Sequence, residues 1–340
     1  MREVGRDMGK TDGKDGLTRR DFIAWAAAGG VALAGLRALS RVRLPFRQRA
    51  HAPSDLKRGL AIAHGTAPAP QGEREVVRRM TRAAVDALGG MAKLVRRGST
   101  VIIKPNIAWA TPPEMAANTN PHVVAALVEM CREAGAGKVK VMDHTISRSP
   151  QPSYEASGIA RAAAEAGAEV AFVDASRLVE RPIPGGFALQ SWPFCEEFVA
   201  ADACDVLINV PVLKAHGTSR LTMGLKNAFG MVGGERGDLH PDIHRKIPDL
   251  HRVIKVDLTV LDAYRVLRRH GPTGGRLEDV DDTPDGARRI IAGTDPVAVD
   301  AYGAHTFGYE PEDVGFIRFA RQAGLGQSDW RALVAREVQL

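Results

Sequence analysis

Cysteine is scarce in this sequence of 340 residues: three occur, and none belongs to a C-x-x-C pair. That scarcity excludes a ferredoxin-type cluster site, a zinc ribbon and a disulfide framework. Disorder is excluded too, because 44% of the residues are hydrophobic and the charged residues mix both signs. The remaining composition is typical of a chain that buries a sizeable core, in one large domain or two small ones.

A strong positive charge is missing from most of the chain, although the net charge is +6. Residues 1–58 carry 13 Lys or Arg against 6 Asp or Glu, whereas residues 59–340 carry 33 against 34. The basic character therefore belongs to the N-terminal segment. The body offers no strong electrostatic attraction for DNA or RNA, and we expect no nucleic-acid partner.

The N-terminal segment also lacks an apolar run long enough to span a membrane. Residues 23–36 form an apolar stretch of 14 residues, short of the roughly 20 that a spanning helix needs. A long polar region and the adjacent Arg19 and Arg20 precede it. Over residues 1–40 this pattern resembles a twin-arginine export signal, which the translocase recognises in the proteins that it exports. An amphipathic N-terminal helix is disfavoured, because the stretch is apolar on all sides.

The resemblance to an export signal implies a periplasmic protein, transported folded and often with a cofactor already bound. Ala50 and Ala52 have the small-x-small form of a cleavage site but precede Pro53, and a second candidate site ends at Ser40. An uncleaved membrane anchor stays open as an alternative. Residues 41–58 are basic and polar and predict a linker. A single α/β domain is expected over residues 59–340.

Short β-branched runs alternate with amphipathic helical stretches from about residue 59. Strands are predicted over residues 60–64, 100–104, 138–143, 169–174, 205–210, 257–262 and 289–292, and helices over 73–88, 122–134 and 154–166. The central strands are nearly continuous apolar runs, as in a sheet covered on both faces. The sequence therefore predicts an α/β fold with a doubly wound, mostly parallel sheet and helices on both faces. Residues 211–256 are rich in Gly, His and Lys and predict a functional insertion or small lobe.

Polar side chains follow several of these strands, at the sheet edge where open α/β sheets bind ligands. The candidate residues are Lys104, Asn106, Asp143, Lys214, His216, Asp262 and, on a helix predicted over residues 221–229, Lys226 and Asn227. Together their ammonium, amide and carboxylate groups suit an anionic or metal-bridged ligand. A lone Asp at a strand end is more often a turn or cap residue, so the prediction depends on several strands converging on one rim.

Two weaker patterns lie in the insertion. His240 and His244 are spaced as two ligands on one helix face, with His251 seven residues further on. Pro241 suits the first helical turn and makes His240 a cap residue, so capping or surface roles are favoured over zinc or iron ligation and no metal site is predicted. The glycine-rich loop at residues 233–237 can cradle an anion, but it lacks the spacing of a P-loop or dinucleotide fingerprint.

Seven short motifs follow one another in a specific order. They are IKPN at 103–106, TNP at 119–121, NVPVLKAH at 209–216, GLKN at 224–227, LTVLDA at 258–263, GPTGG at 271–275 and DPVAVDA at 295–301. Over roughly residues 60–325 this series resembles domain-of-unknown-function family 362. The resemblance implies no particular reaction, although many members carry ferredoxin-like cysteine clusters after this domain and are described as iron–sulfur proteins.

This chain departs from those members in its cysteines. It has only Cys131, Cys195 and Cys204, too few thiolates for a cluster held by four cysteines. We therefore expect no intrinsic iron–sulfur cluster, and the cofactor stays unknown. Cys195 and Cys204 either form a disulfide in the periplasm or remain thiols, and the sequence leaves both alternatives open.

Two functions of different classes fit these residues. The first is an exported enzyme for an anionic small molecule or cofactor, in which Lys104, Lys214 and Lys226 stabilise charge. Asn106 and Asn227 would orient the ligand, and His216 or Asp143 would transfer protons. The second is a non-catalytic accessory or cofactor-binding protein of a periplasmic redox system, with a redox partner.

The export interpretation predicts the effect of a conservative change. Substituting both Arg19 and Arg20 by Lys keeps the charge but removes the paired guanidinium groups. We expect the double variant to stay in the cytoplasm, as measured by fractionation and immunoblotting of the full chain. Unchanged export of the variant would contradict the assignment.

Overall fold

The computed structural model describes residues 47–65 and 72–340. The export signal predicted over residues 1–40 lies outside these described residues. Among the described helices, none has the length and apolar character needed to cross a membrane.

Strands and helices alternate through the first half of the domain, as the sequence predicts. The described strands are β1 (Leu60–His64), β2 (Thr100–Pro105), β3 (Lys138–Val141), β4 (Glu169–Val170), β5 (Leu178–Pro182), β6 (Ser191–Cys195), β7 (Val206–Val210), β8 (Val212–His216), β9 (Arg220–Thr222), β10 (Leu258–Leu267), β11 (Val280–Asp281), β12 (Arg289–Gly293) and β13 (Val334–Gln339). The described α-helices are α1 (Glu73–Ala87), α2 (Pro121–Glu133), α3 (Gln151–Ala156), α4 (Ile159–Glu165), α5 (Glu196–Val199), α6 (Ile243–His251), α7 (Pro296–Phe307) and α8 (Gly315–Gln322).

One large sheet organises the described residues, with eleven of their strands. Eight form the row β13-β1-β12-β10-β7-β2-β3-β4, while β8 and β11 also pair with β10, and β9 pairs with β8. From β10 to β4 the neighbouring strands of the row are parallel, whereas β12 is antiparallel to both β1 and β10. In chain order the parallel part begins with β2. The next parallel strands, β3 and β4, lie on one side of β2, and the later ones, β7 and β10, lie on the other side. The prediction of a doubly wound, mostly parallel sheet is confirmed.

Apolar side chains cover both faces of this sheet. In β1, Ala61 and Ala63 belong to the core packed under α1 and α2. Leu60 and Ile62 point the other way and join the core under α7 and α8, because successive residues of a strand face opposite sides. Helices therefore lie on both faces, as the continuous apolar runs of the sequence predict.

Several predicted boundaries are wrong for identifiable reasons. The helix predicted over 154–166 is divided into α3 and α4, because Gly158 adopts φ 70° between them. The helix predicted over 221–229 does not form: β9 ends at Thr222, and a 3₁₀ helix follows at Lys226–Met231. The start of this segment pairs with β8 as part of β9, and β8 pairs with β10, so part of the predicted insertion extends the main sheet.

Residues 47–58, part of the segment predicted as a linker, lie against the domain. The backbone N–H of Arg49 donates to the carbonyl of Val199 at 2.8 Å. Its buried guanidinium pairs with Asp257 and donates to the carbonyl oxygens of Cys204 and Asp205. Asp257 also accepts the N–H of Leu207 at 2.8 Å, so this ion pair joins the N-terminal segment to β7.

The three cysteines of the chain are free and buried. Of the two alternatives that the sequence leaves open, the structure has Cys195 and Cys204 as separate thiols. Burial raises the pKa of Cys204 to about 11, and it raises the pKa of Cys131 and Cys195 as well. The thiolate form is therefore disfavoured at all three positions.

The Arg49 contacts predict a large stability effect. Removing one partner of a buried ion pair leaves an uncompensated charge, so Arg49→Ala should lower the free energy of unfolding by roughly 3 kcal/mol. Urea denaturation measures the change. Exposed Arg47 supplies the matched control, because Arg47→Ala should change stability by about 0.5 kcal/mol or less. Equal effects of the two substitutions would contradict a structural role for Arg49.

Candidate functional site

The doubly wound sheet has a topological switch point between β2 and β7, the place where α/β proteins commonly bind ligands. A cleft of about 730 Å³ opens at the carboxyl ends of these strands. Its walls come from the loops that follow β2 and β3, the β8–β9 hairpin and residues 226–240. Seven of the eight predicted site residues line it: Lys104, Asn106, Asp143, Lys214, His216, Lys226 and Asn227.

The β8–β9 hairpin supplies one wall. Lys214 lies directly opposite Thr222 in the antiparallel register, and His216 follows two residues after Lys214. Side chains two apart on a strand share a face, and directly opposed residues are neighbours. All three side chains therefore lie on the cleft side of the hairpin.

The turn between β9 and the 3₁₀ helix places Lys226. The backbone N–H groups of Gly224 and Leu225 donate to the Asp300 carboxylate at 2.7 and 2.9 Å. A Cβ at position 224 would lie 2.9 Å from Asp300 Oδ1, so glycine permits this close approach. Burial raises the pKa of Asp300 to about 7. Asp300 thus anchors the turn from α7, outside the cleft lining.

A buried ion pair forms the floor of the cleft. Lys104 Nζ lies 2.8 Å from Asp143 Oδ1 and donates to Asn227 Oδ1 at 2.8 Å. Asp143 Oδ2 accepts the backbone N–H of Ile107 at 2.7 Å. A Cβ at Gly230 would overlap both Asp143 Oδ1 and Lys104 Nζ, so this glycine allows the 3₁₀ helix to pack on the pair. Burial lowers the pKa of Lys104, and Asp143 opposes that effect.

Asparagine amides connect this pair to Lys214. Asn227 Nδ2 donates to Asn209 Oδ1 at 2.8 Å, and Asn106 Nδ2 donates to Asn227 Oδ1 at 3.0 Å. Lys214 Nζ then donates to Asn106 Oδ1 at 3.2 Å and to the carbonyl of Ala117. The amide orientations are fixed by these bonds, because each oxygen accepts from a group that can only donate.

Two ammonium groups in the cleft have no carboxylate partner among the described residues. Burial lowers the pKa of both Lys214 and Lys226 to about 7. Neighbouring positive charges also lower the two pKa values: Lys226 acts on Lys214, and Lys104 and Arg236 act on Lys226. Lys226 Nζ instead lies 4.5 Å from the centre of the Phe229 ring. Asp143 is already engaged by Lys104, so the floor of the cleft carries an excess of positive charge.

His216 is a neutral imidazole in this setting. Burial, followed by Lys226 and His240, lowers its pKa to about 3. Its Nδ1 faces the backbone N–H groups of Thr218 and Ser219 at 3.2 and 3.3 Å and therefore accepts. The proton then resides on Nε2. Nε2 of His216 is thus available as a hydrogen-bond donor, and the proton-transfer role that the sequence predicts for His216 stays a prediction.

Asp262, the eighth predicted residue, does not line the cleft. β10 continues past it to Leu267 instead of ending there. Asp262 Oδ2 accepts the N–H of Asn120 at 2.7 Å, and Oδ1 accepts the N–H of Tyr264 at 3.0 Å. Burial raises the pKa of Asp262 to about 6. Its carboxylate stabilises backbone at the start of α2, which is a structural role.

Several cleft residues escape the sequence analysis, notably Trp109, His144, Thr222, Phe229 and Arg236. Arg236 lies in the glycine-rich loop at residues 233–237, and this loop is the sequence feature that could have indicated a cleft residue there. The guanidinium donates to the carbonyls of His144 at 2.7 Å and Phe229 at 3.2 Å, and also to that of Thr145. Arg236 therefore joins the two loops that flank the cleft.

The histidines of the insertion serve separate purposes. His240 stacks on His216 with ring centres 5.9 Å apart, His244 stacks on Phe316, and buried His251 contacts the Leu225 carbonyl at 2.8 Å. Within residues 47–65 and 72–340, no three His, Cys, Asp or Glu side chains come together as metal ligands.

The fold and the cleft define an α/β protein with a cationic pocket at the switch point of its sheet. Residues 101–305 match the model of DUF362, a domain of unknown function. The match spans more than half of the chain, so the chain belongs to the DUF362 family. The resemblance inferred from the seven motifs is confirmed.

One curated protein and one solved structure extend the comparison. A thylakoid-associated protein of Synechocystis sp. is 32% identical over 210 residues, which cover 58% of this chain and 62% of that protein. A crystal structure of a Thermotoga maritima protein superposes with a TM-score of 0.41 at 11% identity, covering 75% of this chain and 60% of that one. The chain thus spans about three fifths of the length of each.

The shifted pKa of Lys226 predicts a pH-dependent stability difference. Because the folded pKa is about 7 and the unfolded value about 10.4, the buried charge destabilises the fold fully below pH 7. This cost falls as pH rises from 7 towards 10. Lys226→Met should therefore stabilise the protein most near pH 6.5, and its advantage should shrink by up to about 1.4 kcal/mol per pH unit above 7.

Urea denaturation at pH 6.5, 7.5 and 8.5 measures this trend, in a buffer without phosphate or sulfate. Lys93, which is exposed, provides the control variant Lys93→Met. The control should show the same difference from the wild type at each pH. A pH-independent effect of Lys226→Met would contradict the shifted pKa.

Proposed function

We propose that this DUF362 protein binds an anionic small molecule or cofactor in the cleft at the switch point and acts on it as an enzyme. The observation that carries the proposal is the burial of Lys214 and Lys226 with no carboxylate partner among the described residues. A buried cation is costly unless an opposite charge compensates it. A bound anion supplies the missing charge.

The cleft residues then divide by role. Lys214 and Lys226 face the anion as charge stabilisers, and Lys104 contributes its field while paired with Asp143. Asn106 and Asn227 hold these ammonium groups in place through their amide oxygens. Such preorganised donors stabilise developing negative charge without reorganising during the reaction.

Proton transfer is the weaker part of the enzyme proposal. Both oxygens of Asp143 are engaged, by Lys104 and by the Ile107 N–H. His216 Nδ1 is occupied as an acceptor. His216 therefore suits the role of a neutral donor that polarises a ligand oxygen, and Asp143 that of a positioning residue for Lys104.

The same observation favours a second candidate, a non-catalytic binding or accessory protein of a periplasmic redox system. A cleft with engaged acceptors can hold an anionic cofactor without acting as a base. Native purification followed by mass spectrometry of the bound molecule separates the two functions. An enzyme should convert an added excess of that molecule to a product, whereas a carrier should return it unchanged.

We also propose export by the twin-arginine route to the periplasm. A relative in Synechocystis sp. is described as thylakoid-associated, which is compatible with an exported or membrane-associated protein. Cleavage after Ala52 would remove Arg49 and leave Asp257 without its buried guanidinium partner. We therefore favour cleavage near Ser40, or retention of the segment as an anchor.

Anion binding tests the proposed function directly. Isothermal titration with inorganic phosphate at pH 7.0 should show at least tenfold weaker binding for Lys226→Met than for the wild type, because an opposing charge is lost. Thermal unfolding should show no loss of stability, since the removed charge has no partner. Lys93→Met should bind phosphate as the wild type does. Unaltered phosphate binding by Lys226→Met, or a wild type that binds no anion, would contradict the proposal.

A further inference from the structure

Thr222 presents an unsatisfied hydroxyl in the wall of the cleft. The side chain is 4% exposed, and its Oγ1 has no hydrogen-bond partner among the described residues. Most buried polar atoms have a partner, and an unpaired one costs free energy. A valine of nearly the same shape would avoid this cost. A threonine at this position is therefore explained by a partner outside the protein.

The surroundings of Thr222 identify that partner as an anion. Lys214 is its directly opposed neighbour, and His216 lies on the same face of the hairpin. Lys226 follows four residues later and lines the same cleft. A hydroxyl, an imidazole N–H and two ammonium groups therefore line one part of the cleft, and none of these ammonium groups has a carboxylate partner within the described chain.

We propose that this hairpin face is the head-group subsite for the phosphate of a small organic phosphate monoester, a proposal that rests on the function proposed above. A phosphate monoester carries a charge of about −1.5 to −2 at pH 7 and three strong acceptor oxygens. With the anion bound and both lysines protonated, Lys214 and Lys226 match that charge, and the Thr222 hydroxyl and His216 Nε2 add two donors. A carboxylate brings one charge and two oxygens, which satisfies this donor set less completely.

The rest of the cleft indicates the body of the ligand. A volume of about 730 Å³ is in the range of sites for whole organic ligands. The loops after β2 and β3 contribute Trp109 and Ile146 to the lining, and Ile146 is 55% exposed. Trp109 Nε1 is a second buried donor without a partner among the described residues. A planar apolar group with a hydrogen-bond acceptor satisfies both features.

Arg236 is the obvious competitor for the head group, and its contacts argue against it. Three of the five N–H groups of its guanidinium donate to backbone carbonyls of the flanking loops. An anion bound there would compete with the bonds that hold the cleft walls together. We therefore place the head group beside Thr222, at Lys214 and Lys226.

Titrations with three probes at pH 7.0 test the subsite: inorganic phosphate, phenyl phosphate and benzoate. Phenyl phosphate should bind at least tenfold more tightly than either of the others. Thr222→Val should weaken phenyl phosphate binding about tenfold, while Thr222→Ser, which keeps the hydroxyl, should bind as the wild type does. Thermal unfolding should show Thr222→Val to be as stable as the wild type or more so, because the change removes an unpaired hydroxyl.

Trp109→Ala should weaken phenyl phosphate binding to the level of inorganic phosphate and leave inorganic phosphate binding unchanged. Equal phenyl phosphate binding by Thr222→Val and the wild type would overturn the subsite, as would benzoate binding more tightly than phenyl phosphate. If Lys226→Met abolishes anion binding while Thr222→Val does not affect it, the proposed function stands and the head-group assignment fails. If the wild type binds none of the three probes, both fail.

Discussion

The ion pair between Lys104 and Asp143 is the interaction on which the cleft depends. Lys104 is the next-to-last residue of β2, Asp143 follows β3, and Asn227 of the 3₁₀ helix accepts a hydrogen bond from Lys104. Three segments far apart in the sequence therefore meet at one buried contact, which Gly230 covers without a side chain. Asp143 forms its ion pair with Lys104, and neither Lys214 nor Lys226 forms an ion pair with a carboxylate among the described residues. The positive charge that a ligand can meet in the cleft is therefore that of Lys214 and Lys226.

The sheet topology determines where this contact can form. β2 stands at the centre of the parallel part, with β3 on one side and β7 on the other. Their carboxyl ends open towards the same edge, and the crossovers leave in opposite directions. The β8–β9 hairpin continues from β7 and closes the cleft on one side with Lys214 and Thr222. The same hairpin pairs with β10, so its position is supported by the main sheet.

Electrostatics and hydrogen bonding together explain the chemistry that this site can support. Burial lowers the pKa of Lys104, Lys214 and Lys226, and it brings the pKa of Lys214 and Lys226 to about 7, so their protonation responds to whatever occupies the cleft. His216 stays neutral because the surrounding cations and burial oppose its protonation. The cleft is therefore rich in donors and poor in free acceptors. That imbalance favours recognition of negative charge over abstraction of a proton.

The sequence by itself determined the fold class, the positions of most strands in the first half and most of the residues that line the cleft. Alternating apolar runs specify strands buried on both faces, and polar residues at their carboxyl ends must converge in a parallel sheet. This logic identified Lys104, Asn106 and Asp143. It failed for Asp262, because β10 continues past that position and the carboxylate serves backbone N–H groups instead.

Only the tertiary structure decided which polar groups are satisfied. Residues 221–229 have an apolar spacing compatible with a helix, yet Leu221 and Thr222 pair with β8 in a hairpin that is itself held against β10, more than 40 residues further along the chain. That pairing places Thr222 beside Lys214 and leaves its hydroxyl without a partner in the described chain. Likewise, Lys104 is paired and Lys226 is not, although both are lysines near a strand end. Which lysine forms an ion pair depends on which segments meet across the sheet, and the local sequence does not predict that.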